Sequence, residues 1–342
     1  MRLSTLAQLL LLTSSTTVAW TTVPNNANTC RSLSQTTSLN ASRGAKKWSR
    51  KKAWLEKRGF TEESEPLSAT TSTNSSSETS SSSSSGLCTV VGGGRIGSLL
   101  SSKGETILLK RGDTIDPDGS GPILLATRND ALDSIVDNCP PNRRKDLVFL
   151  QNGYLDTFLE SKGLLDNTQA LLYLSVPALG VEAVDGITSV NPEGLTASTG
   201  EWAQALSDRL GSLDLKCNVV GMEEYRPAMF EKLIWISTYM LVGTAKSCTS
   251  VGQAGSDYTA LVESVVTELV TAVSKKEGIS FPEGTMARLA AYTDVVSDFP
   301  CGVKEFEWRN QYFYNLGDEE CPIHNGLLRE CAEGGKLGFE LP

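Results

Sequence analysis

Leu87-Cys88-Thr89-Val90-Val91, followed directly by Gly92-Gly93-Gly94-Arg95-Ile96-Gly97 and then Ser98-Leu99-Leu100, is the stretch that decides how this chain folds. A short apolar run of β type leads into G-x-G-x-x-G, and a helix-like sequence follows. Each glycine has its own task in such a turn. Gly92 allows the tight bend, Gly94 lets the backbone approach a pyrophosphate, and Gly97 lets helix and strand pack closely. Arg95 and Ile96 fill the variable positions of the same turn, and the helix start offers N–H groups to an anion. The pattern therefore predicts a dinucleotide-binding turn with Gly92, Gly94, Arg95, Ile96 and Gly97 at the cofactor.

Outward from this turn, Thr106–Leu109 reads as a second strand and ends in Lys110-Arg111-Gly112-Asp113. An acidic residue at that strand end would accept from a ribose 2′-hydroxyl, whereas Arg111 suits a 2′-phosphate, so the expected cofactor is NADPH. Further strand-like runs follow at 122–126, at 147–150 leading into Gln151-Asn152-Gly153, and at 170–176. Ser198-Thr199-Gly200-Glu201 has the form of a capping box, opening a helix with Trp202, Leu206 and Leu210 on one face. Cys217–Val220 closes the alternation. After residue 222 the pattern becomes helical: Leu233–Val242, Asp257–Ser274 with its stop at Lys275, Lys276 and Gly278, Glu283–Val296 and Val303–Tyr314. The expected fold is α/β, an N-terminal Rossmann-like dinucleotide-binding domain over 87–222 followed by a mostly α-helical C-terminal domain over 223–342.

The 342 residues carry a net charge of −9, but unevenly. Residues 1–86 hold ten basic and five acidic residues, which leaves −14 on 87–342. An acidic body argues against a nucleic-acid partner. Residues 1–19 read as a signal peptide with Arg2, an apolar core at Leu6–Leu12 and a small-residue site at Thr17-Val18-Ala19. That core is too short to span a bilayer, so no membrane partner is expected for the mature form. The basic, Ser/Thr-rich segment 20–69 resembles a transit peptide behind Ala19-Trp20, which points to a plastid through a bipartite presequence, the alternative being the secretory pathway. Residues 70–86 read as a disordered Ser-rich linker. Eight scattered cysteines and the single His324 supply no metal-ligand cluster, so no metal is expected and the cysteines read as free thiols.

The ordered landmarks in 87–330 resemble the ketopantoate reductase (2-dehydropantoate 2-reductase) family. They are the glycine turn, Thr127-Arg128 after a strand, Gln151-Asn152-Gly153, Glu231-Lys232-Leu233, and Lys304-Glu305-Phe306-Glu307-Trp308-Arg309-Asn310. The resemblance implies an active cleft between two domains, a small-molecule substrate and the possibility of an oligomer. It gives Arg111 the 2′-phosphate, places Arg128 near the cofactor and puts Asn152 at the nicotinamide end. Lys232 becomes the general acid and Glu305 the partner of substrate or lysine. Thr293 stands where a substrate-binding serine would lie, and with Ser237 it makes up the substrate-binding candidates.

The lysine has a physical rationale of its own. Hydride delivery to a ketone builds negative charge on oxygen, where a positioned acid is needed. Lys232 precedes an apolar run, and partial desolvation would lower its pKa toward a useful range. One departure stands out: Ile236 replaces the family's asparagine one turn later, and an aliphatic side chain neither donates nor accepts. These residues together imply an NADPH-dependent reductase of a 2-oxo acid or related ketone. The alternatives are a non-catalytic NADP(H)-binding or redox-sensing protein, and a different two-domain NADP-dependent hydroxy-acid dehydrogenase.

Overall fold

The structure, a computed structural model, describes residues 87–342. The signal peptide, the transit-like segment, the Ser-rich linker and Cys30 lie outside the described residues.

Seven strands form one sheet in the order β2-β1-β3-β4-β5-β8-β9. They are β1 (Cys88–Val91), β2 (Thr106–Leu109), β3 (Ile123–Leu125), β4 (Leu147–Phe149), β5 (Gln169–Leu171), β8 (Ala197–Thr199) and β9 (Asn218–Val219). All neighbours are parallel except β5 and β8. The apolar runs are continuous rather than alternating because the sheet is covered on both faces. Leu124 and Val148 point into one core with Leu206 and Leu210, while Ile123, Leu125, Leu147 and Phe149 point into the other with Leu132, Val136 and Leu159. The covering helices are α1 (Arg95–Leu100), α2 (Leu132–Asn138), α3 (Asp156–Lys162) and α4 (Ala203–Gly211).

A helical half follows: α5 (Met222–Trp235), a π-helical turn at Ile236–Met240, α6 (Leu241–Ala245), α7 (Val251–Asp257), α8 (Thr259–Glu277), α9 (Thr285–Val295), α10 (Asn310–Tyr314) and α11 (Pro322–Glu333). Its core joins α5, α8 and α9 through Phe230, Leu233, Val265, Leu269 and Leu289, and it reaches back to Leu171 and Tyr173 of the sheet. Gly278, left-handed at φ 68°, stops α8 where the sequence places the stop. Among the described residues no helix is long and apolar enough to cross a membrane.

Three sequence expectations differ from the structure. The run Ala170–Val176 is not one strand: β5 ends at Leu171, and Leu174–Ser175 (β6) pairs instead with Val184–Asp185 (β7) in a separate two-stranded sheet. A tertiary bond drives the departure, since the Tyr173 N–H donates to Thr196 Oγ1 at 2.9 Å. Ser198 and Thr199 are not a cap but part of buried β8, and α4 is entered differently. The Trp202 N–H donates to the Thr168 hydroxyl at 2.8 Å, a partner that local sequence does not reveal. Val303–Tyr314 is not one helix either. Glu305 sits at φ 50°, ψ 50°, a single 3₁₀ turn covers Phe306–Trp308, and α10 begins only at Asn310.

Candidate active site

The glycine turn sits at the carboxyl ends of β1 and β2. The Gly92 N–H donates to the Leu109 carbonyl at 2.9 Å, and a Cβ on Gly97 would lie 1.7 Å from the Gly92 carbonyl oxygen. Helix and strand therefore approach as only glycine permits. A Cβ on Gly94 would meet nothing within 4 Å, so the space above it is open to a ligand. Ile96 packs into the core, and Arg95 reaches outward to donate to the Val176 carbonyl at 2.9 Å. Lys110 and Arg111 follow β2 at once, both exposed, and the Lys110 side chain stands against Gly93. Glycine turn and open cradle fit a dinucleotide. Arg128, after β3, turns to solvent and pairs with Asp130 at 2.8 Å.

A narrow cleft runs from the end of β4 to α5, lined among others by Phe149, Gln151, Asn152, Gly153, Met229 and Lys232. Gln151 fixes its upper edge by donating through Nε2 to the Leu125 carbonyl at 2.7 Å. The Asn152 carbonyl accepts from Asn129 Nδ2 at 3.1 Å, while the Asn152 Oδ1 is buried without a partner. A buried amide with an unmet hydrogen bond is the kind of group that a ligand completes.

Lys232 enters from the other side. It lies within α5, not at the mouth of a helix, and is almost wholly buried. Its ammonium donates to the Leu172 carbonyl and stands 4.2 Å from the centroid of the Tyr173 ring. Leu172 and Tyr173 are available because the chain leaves the main sheet after β5. Burial, and after it the nearby Arg309 guanidinium, pushes Lys232 down to about 7. Its neighbour in sequence, Glu231, faces away and is held by Arg288 Nη2 at 2.6 Å and by Thr285 Oγ1 at 3.1 Å. Among the described residues the lysine thus has no carboxylate of its own.

The segment 305–309 docks under the Asn152 turn. The Trp308 carbonyl accepts from the Tyr154 N–H at 2.7 Å, and a Cβ on Gly153, at φ 135°, would lie 2.3 Å from that oxygen. Glu305 Oε1 accepts from the Asn129 N–H at 3.4 Å, and Glu305 Oε2 is paired with Arg309 Nη2 at 2.5 Å. The family resemblance pairs Glu305 with substrate or lysine. In this structure its ion-pair partner is Arg309.

Asn152 and Lys232 therefore line one cleft, and Glu305 adjoins it through Asn129. Thr293 and Ser237 lie elsewhere. The Thr293 hydroxyl donates to the Leu289 carbonyl and accepts from Trp235 Nε1, both at 2.8 Å, so its donor serves the helical core. Ser237 is fully buried in the π turn, its Oγ without a partner, and does not line the cleft. Sequence reasoning gave no role to Arg309, Asn129 or the Leu172 carbonyl. A signal existed only for Arg309, four residues after Glu305. Among the described residues no cluster of histidine, cysteine and carboxylate groups could hold a metal, and the seven cysteines are free.

No protein-family model matches the chain, and no curated protein matches it. Solved structures do. The chain is similar to a PanE/ApbA family ketopantoate reductase from Ralstonia eutropha JMP134, with TM-score 0.54 and 16% identity over 73% of this chain and 99% of that one. It is similar to 2-dehydropantoate 2-reductase from Methylococcus capsulatus, with TM-score 0.55 and 14% identity over 75% and 99%. D-mandelate dehydrogenase in ternary complex with NADH and anilino(oxo)acetate matches with TM-score 0.55 and 14% identity over 72% and 97%. The chain has the fold of the ketopantoate reductases: a Rossmann-like α/β part followed by a helical part.

Proposed function

We propose that this protein is an NADPH-dependent reductase of 2-oxo acids. The observation that carries the reading is Lys232, an almost fully buried amine in a cleft it shares with Asn152, pushed down to about 7 by that burial. The fold is also that of reductases and dehydrogenases that interconvert 2-oxo and 2-hydroxy acids, one of them solved with NADH and an oxo acid analogue.

When bound, a reduced nicotinamide supplies a hydride to the carbonyl carbon. Lys232 supplies the proton to the carbonyl oxygen, and a pKa near ambient pH suits an acid that must be reloaded each turnover. Asn152 positions the reactants through an amide that the fold leaves unmet. Arg111 selects NADPH over NADH by pairing with the 2′-phosphate, as its exposed place beside the glycine turn allows. Ile236 is buried in the helical core and is not among the residues that line the cleft.

The test is to incubate the purified chain with NADPH and a panel of 2-oxo acids that includes ketopantoate and aliphatic and aryl members. Oxidation of NADPH that disappears in Lys232→Ala is expected. NADPH bound tightly with no turnover across the panel would leave a nucleotide-binding protein. Activity unchanged in Lys232→Ala would remove the mechanism.

A further inference from the structure

One buried charge beside the cleft has no task in carbonyl reduction. Arg309 is mostly buried, its side chain 16% exposed, yet a single carboxylate oxygen holds it, that of Glu305 on Nη2. A guanidinium presents five N–H donors. Its Nε is buried and has no partner. An arginine that served packing alone would have that edge satisfied. The charged residues beside it, Lys304 and Glu307, are exposed and solvated.

Arg309 does not itself line the cleft, but it adjoins it: its charge acts on Lys232, which does. Trp308, the preceding residue, gives its carbonyl to Tyr154 directly after the Asn152–Gly153 turn. Glu305, which grips Arg309, also reaches the Asn129 backbone, and Asn129 in turn holds Asn152. The far end of the cleft offers no spare positive charge. Asp156 lines it but is paired with Arg226 at 2.6 Å, and Arg226 is paired in turn with Glu277 at 3.0 Å. Arg309 is close enough to Lys232 for its charge to push the ammonium down, and among the described residues Glu305 is the carboxylate paired with either of them, a surplus of positive charge that an anionic ligand balances.

We propose that Arg309 is the seat of the substrate carboxylate, with Glu305 as the positioning residue that fixes the guanidinium while its Nε edge receives the anion. The inference deepens the reductase reading and rests on it. The Nε edge forms a fork that matches a carboxylate, which lysine does not reproduce. Lys232 is then left to the ketone oxygen, and specificity for oxo acids over neutral ketones resides in a residue from the far end of the chain.

The experiment has two arms. In the first, wild type, Arg309→Gln and Arg309→Lys reduce 3-methyl-2-oxobutanoate and its uncharged methyl ester with NADPH. Arg309→Gln is expected to raise KM for the acid roughly 10- to 100-fold, the range for losing a charge-assisted hydrogen bond, and to change KM for the ester by less than about threefold. Arg309→Lys should fall between. The acid-to-ester ratio within one preparation does not depend on how much of it is folded, and acid and ester falling together would overturn the proposal. The second arm needs no turnover: oxamate should raise the melting temperature of the wild type and not of Arg309→Gln, and neutral oxamide should raise neither. No response to oxamate in the wild type, or an equal response in the variant, would also overturn it. Arginine-dependent oxamate binding without reduction of any ketone would keep the anion seat and remove the reductase reading. Reduction of oxo acids with no acid-specific loss in Arg309→Gln would do the reverse.

Discussion

Replacing Lys232 by methionine should make this protein more stable and leave it inactive. Methionine is of similar length and polarisable, so it fills the space without a charge. The lysine titrates at 10.5 when solvated and at about 7 in the folded chain. Between those values the unfolded chain binds a proton that the folded chain refuses, so folding stability rises as pH increases from 7 toward 10.5. By linkage, the folded state gives up about 4 kcal/mol at pH 7 and about 2 kcal/mol at pH 9 to keep this group buried. The variant escapes that cost but leaves the Leu172 carbonyl without its donor, a loss of about 1 kcal/mol. The net gain is about 3 kcal/mol at pH 7 and about 1 kcal/mol at pH 9. The difference of about 2 kcal/mol between the two pH values does not depend on the lost bond. Urea unfolding of both proteins at pH 7, 8 and 9 measures it. Parallel pH dependence in the two proteins would show that the lysine is not held near 7, and the acid role would lose its physical basis.

The reductase rate itself should fall as pH rises through about 7, as Lys232 loses the proton it donates, and a pH profile of kcat checks this. Arg111→Gln should weaken NADPH binding roughly 10- to 100-fold and NADH binding by less than about threefold in fluorescence titrations; equal losses would remove the 2′-phosphate role. Gly153→Ala should cost at least roughly 2 kcal/mol, since a Cβ there meets the Trp308 carbonyl at 2.3 Å on a backbone at φ 135°, and an unchanged urea midpoint would refute the contact. His324, fully buried among Asn310, Asn325 and Phe313, is pushed down to about 4 by its burial. Stability should therefore fall as pH drops from 6.5 toward 4, by up to roughly 3 kcal/mol, and His324→Gln should flatten that slope in acid unfolding curves.

The parts of this fold that local chemistry decides were legible in the sequence. Strands β1 to β4 are short, apolar on both faces and punctuated by glycine or asparagine, so burial and turn chemistry agree. Lys232 was legible as a candidate because a charge beside a long apolar run must be desolvated. The misread stretches share a different cause. Ser198 and Thr199 look like a helix start, but α4 takes its entry bond from Thr168, and Tyr173 leaves the sheet line for Thr196. Val303–Tyr314 has a helical composition, yet Tyr154 claims the Trp308 carbonyl and His324 stands within 3.1 Å of the Asn310 amide. Each of these is a hydrogen bond to a residue remote in sequence, which periodicity does not register. The candidate site was hidden for the same reason, since Arg309, Asn129 and Leu172 gain their roles only from what folding places beside them.

The docking of Trp308 beneath Gly153 bears on how the protein is made. Translation delivers the glycine turn before α5, and Trp308 only after both. A nascent chain can complete its glycine turn long before Trp308 can dock beside Gly153. A protease cut near Val303 would sever the segment that carries Trp308, whose carbonyl takes the Tyr154 N–H, and with it Phe306, Phe313 and Leu328 of the helical core.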